Sequence, residues 1–449
     1  MSANKRAQLK QWLESGKALL QPLSFPQREI WETSPVPAGD VANHICCLIN
    51  VRGEMTPDSC AAAVQGVVDR QEVLRLSILP GKDRPLQMIR QDSPANFRFR
   101  ELSPAQADME SVEEIAAEIF SEPFDLVQGP LYRTEVLQRS KTEHMLVMAI
   151  HHAIADGWSL GVFVQDLCIS YIQELMGRRE PLPPVPLSYA AWGAAERSFW
   201  TPAEVEQRAG FWRPKLAGSK RIWNSLDETV TASGAPDRWV SYLPADLTTA
   251  VQDLARASGT TLFNTLLAAF QIALSRWTGE TDIVVGTPVA NRNMQTVRET
   301  MGYCAGIVPL RGQVESDRTF SANLQTVHDD TVDAFANAMP FAELVPAIGA
   351  KVTPGHNPIF DVRFALQNHP VPDIDLDGLS AHLSMRSTGT ARFVIACEVT
   401  IIGDGLEVVW RFRSKLFPRS EIEVLSRIYQ AVLTNVCRSP DSRIGVLTS

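Results

Sequence analysis

No C-x-x-C pair occurs among the seven cysteines of this 449-residue chain, and none stands at zinc-ligand spacing from a histidine. Cys46, Cys47, Cys60, Cys168, Cys304, Cys397 and Cys437 are scattered, mostly among apolar neighbours. An odd, dispersed set argues for reduced core thiols rather than a disulfide framework, so the expectation is a cytoplasmic protein without a metal site. No apolar run approaches the roughly 20 residues that a membrane helix needs. The opening MSANKRAQLKQWLESGKALL has neither a long apolar core nor a cleavage signature, so no signal peptide is expected. Positive charge is also scarce: 42 Lys and Arg against 51 Asp and Glu leave a formal net charge of −9. That balance disfavours nucleic acid as a main partner. There is no low-complexity tract, no repeat visible by eye and no G-x-S-x-G nucleophile motif.

What is present is enough apolar sequence, 45% of the residues, to fill two ordinary cores, because a single core usually stops growing well below this length. Residues 1–20 hold a short basic amphipathic pattern around Leu9, Trp12 and Leu13 and predict a leader helix ended by Gly16. Residues 21–178 form a first lobe. It contains an alternating stretch at His44 to Val51, a helix capped by Thr56 and an apolar strand from Met145 to Ile150. Pro181, Pro183, Pro184 and Pro186 make residues 179–199 a stiff connector. Residues 200–449 form a second lobe, whose clearest element is a helix from Thr261 to Trp277, closed by Gly279 and followed by a strand from Asp282 to Thr287. Helix and strand patterns mix in both halves, which predicts an α/β fold.

The stretch His151-His152-Ala153-Ile154-Ala155-Asp156-Gly157 leaves the strand at Ile150 and enters a helical pattern running from Leu160 to Leu175. Imidazole exchanges or holds a proton near neutral pH, and a strand exit presents such a side chain to a cleft. An acid followed by glycine suits a tight loop held by one ion pair. Ser159 is the expected N-cap of the helix that follows.

This loop resembles the H-H-x-x-x-D-G signature of the condensation domains of non-ribosomal peptide synthetases, and other segments agree in order. Leu23-Ser24-Phe25-Pro26-Gln27-Arg28-Glu29-Ile30-Trp31 looks like the family's opening motif, and Asp69-Arg70-Gln71-Glu72-Val73-Leu74-Arg75 like its second. Ser188-Tyr189-Ala190-Ala191-Trp192 is similar to the short aromatic motif after the connector. Val285 to Arg292, with Met301-Gly302-Tyr303 and Pro309-Leu310-Arg311, follows the fifth motif, and Pro340-Phe341 and Asn357-Pro358-Ile359-Phe360 match the last two.

The resemblance implies two chloramphenicol acetyltransferase-like lobes in a V-shaped pseudo-dimer with a central tunnel. It also implies a monomeric acyltransferase. An acceptor amine attacks an acyl or peptidyl thioester, and a carrier protein delivers each substrate on a phosphopantetheine arm. The domain itself would bind no cofactor, and its partners would be the donor and acceptor carriers and neighbouring synthetase modules. By the same resemblance His152 takes or positions the amine proton. Gly157 leaves room, and a backbone N–H, beside the reacting carbonyl. His151 supports the loop from beneath, and Asp156 braces it through a buried pair with an arginine: Arg70 first, Arg292 second. Trp31, Tyr189 and Trp192 pack the lobes.

Several positions depart from the family pattern. Gln71 replaces a usual histidine, Gly306 a frequent asparagine, His356 a frequent arginine, and Asn337-Ala338-Met339 a common His-Gln-Asp. They leave acceptor and donor preference open. The loop differs from those of heterocyclisation, epimerisation and fungal cyclising relatives. Three readings remain: carrier-dependent amide formation, an ester-forming or free-amine-using relative, and a non-catalytic docking domain. A free-standing enzyme and a domain of a larger synthetase fit equally well.

Overall fold

The computed structural model describes residues 10–33, 41–80, 84–178, 180–223, 236–353, 355–367, 374–376, 379–386 and 393–447. Two six-stranded sheets organise them, each covered by its own helices. In the first sheet the order is Ile374–Leu376, Leu379–Arg386, His44–Arg52, Glu143–His151, Tyr132–Gln138, Phe97–Glu101. Only the last pair is parallel. The central strand His44–Arg52 is buried on both faces. Ile45, Cys47, Ile49 and Val51 meet the side that carries Val64, Val67 and Phe163, whereas Cys46 and Leu48 meet Val112, Ala116 and Phe120. That double burial turns an alternating pattern into a nearly continuous apolar run.

The second sheet has the order Gly306–Gln313, Asp282–Val289, Val362–Gln367, Ile395–Ile402, Gly405–Arg413, Pro236–Leu243. Against it lies the helix Leu262–Thr278. Thr261 caps it by accepting from Asn264 N at 3.1 Å, and Gly279 ends it at φ 81°. Leu266, Leu267, Phe270 and Leu274 on this helix are fully buried. Burying side chains of this size contributes about 1.5–3 kcal/mol each. A small third sheet joins Ala18–Pro22, Leu86–Arg90 and Leu76–Leu79.

Three expectations change. Within residues 1–20, the first nine lie outside the described residues; residues 10–14 are helical, Gly16 turns at φ 70°, and Ala18–Pro22 is a strand. The amphipathic leader is therefore short, because Ala18 to Pro22 find ladder partners at Arg90 to Leu86. The connector is extended only to Leu187; Ser188 then caps a helix, Tyr189–Phe199, by accepting from Ala191 N. The lobes also do not divide cleanly at residue 200. Leu379–Arg386 hydrogen-bonds to His44–Arg52 in the first sheet, and Val297, Met301, Tyr303 and Cys304 are buried in the first lobe's core. Among the described residues, no single helix is long and apolar enough to cross a membrane.

Candidate active site

The strand Glu143–His151 ends in register with His44, and the chain turns there: His152 N donates to Asn43 O at 2.6 Å and Ile154 N to His151 O at 3.0 Å. The two histidines part at this turn. His151 is 6% exposed; its Nδ1 accepts from Ala153 N at 3.1 Å, and its ring meets His44 and Phe124 edge-on. His152 is half-buried, with its ring edge-to-face on Tyr303 at 4.3 Å between centroids. One imidazole thus folds under the loop while its neighbour reaches the space between the lobes.

Asp156 fixes the loop's far end. It is the N-cap of the helix Gly157–Leu175, its Oδ1 accepting from Ser159 N at 2.9 Å and Ser159 Oγ at 2.8 Å, while Asp156 N donates back to Ser159 Oγ. Ser159, expected as the cap, is instead the reciprocal member of a capping box. A carboxylate at this position also complements the positive end of the helix. Asp156 Oδ2 accepts from Cys304 N and Ala305 N, both at 3.1 Å, so the same side chain holds a segment from beyond the connector. Gly157 opens the helix and is exposed. Its N–H is one of the first-turn donors that a helix leaves without an internal acceptor.

The arginine that pairs with Asp156 is Arg292, not Arg70. Arg292 Nη2 lies 3.1 and 3.2 Å from the two carboxylate oxygens and also donates to Gly302 O, while Nη1 donates to Val297 O and Thr300 O. Both side chains are almost completely buried. Arg70 ends the helix Pro57–Arg70 on a different face, where it pairs with Asp166 and, at 2.6 Å, with Glu299. Its neighbour Gln71 is buried: Nε2 donates to Asp166 Oδ2 at 2.8 Å and Glu299 O at 2.9 Å, and Oε1 accepts from Met301 N at 2.9 Å. The departure at Gln71 therefore supplies an amide with both donor and acceptor, and both are used. Asp166, buried in this cluster, has its carboxyl pushed up by burial against the pull of Gln71 and Arg70.

Other motifs converge on the same loop. Gln27 Nε2 donates to Ala153 O at 3.0 Å. Tyr189, fully buried, donates its OH to Tyr303 O at 2.9 Å, so Ser24 Oγ is the donor in the 2.7 Å contact between Ser24 and Tyr189. Tyr303 OH lies 3.4 Å from Glu29 Oε2. Glu29 and Tyr303 both stand in family-like motifs, but nothing in the sequence showed that they meet beside His152. Gly306 and residues 338–341 line a cavity between the lobes, with Glu29 in its wall. Trp31 is largely at the surface, 38% exposed. Among the described residues no group of three His, Cys, Asp or Glu is arranged to hold a metal.

The chain is similar to segments of large synthetases. It is 27% identical over 434 residues to part of the linear gramicidin synthase of Brevibacillus parabrevis, matching 95% of this chain and 8% of that protein. It is 31% identical over 355 residues to phosphinothricin tripeptide synthetase PhsC of Streptomyces viridochromogenes, matching 77% of this chain and 32% of that one. The chain thus spans less than a tenth of the first relative and about a third of the second.

Solved structures share the fold. The X-domain in the complex of X-domain and OxyB from teicoplanin biosynthesis matches with a TM-score of 0.84 at 22% identity, covering 95% of each chain. The first condensation domain of the CDA synthetase matches at 0.75 and 18%, covering 95% of this chain and 98% of that one. A family model described as condensation domain matches residues 18–449, so this chain belongs to the condensation-domain family.

Proposed function

We propose that the chain forms an amide bond by transferring an acyl or peptidyl group from a carrier-bound thioester to an acceptor amine. The observation that carries this reading is the half-buried His152 ring beside Tyr303, on a loop braced by Asp156 and Arg292. The amine nitrogen bonds to the thioester carbonyl, the C–S bond breaks, and the phosphopantetheine sulfur leaves as a thiol after taking up a proton. A thioester is already activated, so alignment of amine and carbonyl supplies much of the acceleration, up to about 7–11 kcal/mol in favourable cases. His152 positions the amine or accepts its proton, a role typically worth about 10²–10⁴-fold. Gly157 N–H is the candidate donor to the oxygen on which charge develops. His151, Asp156 and Arg292 hold the loop, and no covalent acyl-enzyme is required. Donor and acceptor carrier proteins and neighbouring modules are the partners in this reading.

The test loads an acyl thioester on a carrier protein and offers a carrier-bound aminoacyl group, a free amine and an alcohol separately, with products read by intact mass. Transfer to an amine supports the reading; transfer to the alcohol alone replaces it with ester formation. No transfer to any acceptor, together with tight binding to a synthetase partner, replaces it with a docking role. His152→Ala is expected to melt like the parent and to lose about 10²–10⁴-fold in transfer rate. Parental rates in that variant remove His152 from the chemistry.

A further inference from the structure

A cavity of about 70 Å³ lies where the two lobes meet the helix between them. Its wall is mostly apolar, with Phe25 and Pro26 on one side and Ile307, Val308 and Phe341 on the other. Two carboxylic acids interrupt that wall, Glu29 and Glu196. Asn291, held at φ 51°, donates Nδ2 to Glu196 Oε1 at 2.7 Å. Glu196 Oε2 is buried and has no hydrogen-bond partner among the described residues. The cationic neighbours are engaged elsewhere. Arg28 pairs with Glu32 and Glu343, and Arg197 directs Nη1 at the carbonyls of Pro22 and Leu23, while still attracting Glu196 through space. Burial pushes the Glu196 carboxyl up to about 7, against the Asn291 hydrogen bond and the Arg197 charge.

We propose that this cavity is a subsite for a short aliphatic ammonium group of a substrate, with Glu196 as its counter-ion and Glu29 as the second acid. An ammonium brings donors to the carboxylate oxygen that lacks one, and its methylenes suit the apolar wall. A neutral group of the same shape leaves the buried charge uncompensated, which is the costly arrangement. Glu29 contacts Tyr303, and Tyr303 packs on His152, so an occupant would sit close to the reacting centre. Only the statement that the ammonium belongs to a substrate rests on the condensation reading; its binding depends on the cavity alone.

The intact chain is titrated at pH 8 with n-butylammonium and, separately, n-butanol, by calorimetry and ligand-observed NMR. The ammonium is expected to bind in the millimolar range and the alcohol at least tenfold more weakly. Glu196→Gln is expected to weaken ammonium binding at least tenfold. In the unaltered chain, binding weakens similarly at pH 5.5, where the acid is protonated and the amine still charged; this arm decides the matter even where the variant fails to fold. Equal binding of amine and alcohol, no binding of the ammonium, or pH-independent binding overturns the subsite. Ammonium binding without acyl transfer to any acceptor keeps the subsite and removes the condensation reading; transfer without ammonium binding does the reverse.

Discussion

Asp156 carries more hydrogen bonds than a helix cap requires. Its two oxygens reach Ser159, Arg292, Cys304 N and Ala305 N, so one carboxylate ties the histidine loop to a segment on the far side of the connector. Removing one charge from a buried pair commonly costs about 3–5 kcal/mol, because the other is left uncompensated. Asp156→Asn and Arg292→Met should each destabilise on that scale in urea titrations. The double variant should lose less than the sum, whereas Asp156→Asn combined with Arg70→Ala should be additive within about 0.5 kcal/mol. Additivity in the first cycle would show that the pair does not act as a unit. Gly157 permits a cleaner test of chemistry. Proline is tolerated at the first position of a helix, and Asp156, at φ −130° and ψ −176°, already has the extended backbone that precedes proline. Gly157→Pro should therefore fold while deleting one N–H, and transfer should fall about 10²–10³-fold; Gly157→Ala, which keeps the N–H, is the control. At this scale the sequence announced an acid and an arginine but ranked the arginines wrongly. Arg70 and Arg292 lie 86 and 136 positions from Asp156, and nothing in those separations says that Arg70 faces Asp166 instead.

Among the elements, the best-marked ones carried explicit end signals. Thr56, Thr261 and Gly279 terminate helices where their side chains or backbone freedom predict, and the apolar runs at His44 and Met145 are strands. The cap of the helix after the histidines was missed by three residues, since Asp156 and Ser159 are both good caps and only the reciprocal bonds separate their roles. The segment from Arg292 to Ala305 was harder still. It has little periodicity, and its order comes from contacts made by other elements: Gln71 to Met301 N, Asp156 to Cys304 N, Tyr189 to Tyr303 O. Gly302 marks how tightly it is held. At φ 156°, it places an added Cβ 2.2 Å from the Tyr189 ring, which is fully buried and cannot swing away. Gly302→Ala should lower stability by about 1–3 kcal/mol by overpacking, and should reduce acyl transfer because Tyr303 follows directly. An unchanged melting temperature would mean that the segment yields more easily than its hydrogen bonds imply.

Across the whole molecule, the sequence supports two cores but hides how they are joined. The pattern of residues 374–386 gives no hint that this stretch leaves the second half of the chain to extend the first sheet, because strand pairing between distant segments is not written in local periodicity. The register is nonetheless definite: Ser384 faces Leu48, and its Oγ donates to Leu48 O at 3.3 Å. This strand, the Asp156–Arg292 pair and the Gln71 bridge are three independent ties between the halves, which predicts that the lobes unfold together despite having separate cores. Proline lacks the ladder N–H and is excluded from sheet interiors, so Ser384→Pro should release Leu379–Arg386 from His44–Arg52 while sparing both cores. The expected outcome in calorimetry is a single parental transition that broadens or splits, with the first lobe melting earlier. A reversible, single transition at the parental temperature would show that the crossing strand adds nothing to the coupling. In that case the polar ties at Asp156 and Gln71 would carry it alone, and the Asp156→Asn variant should then be the one whose transition divides.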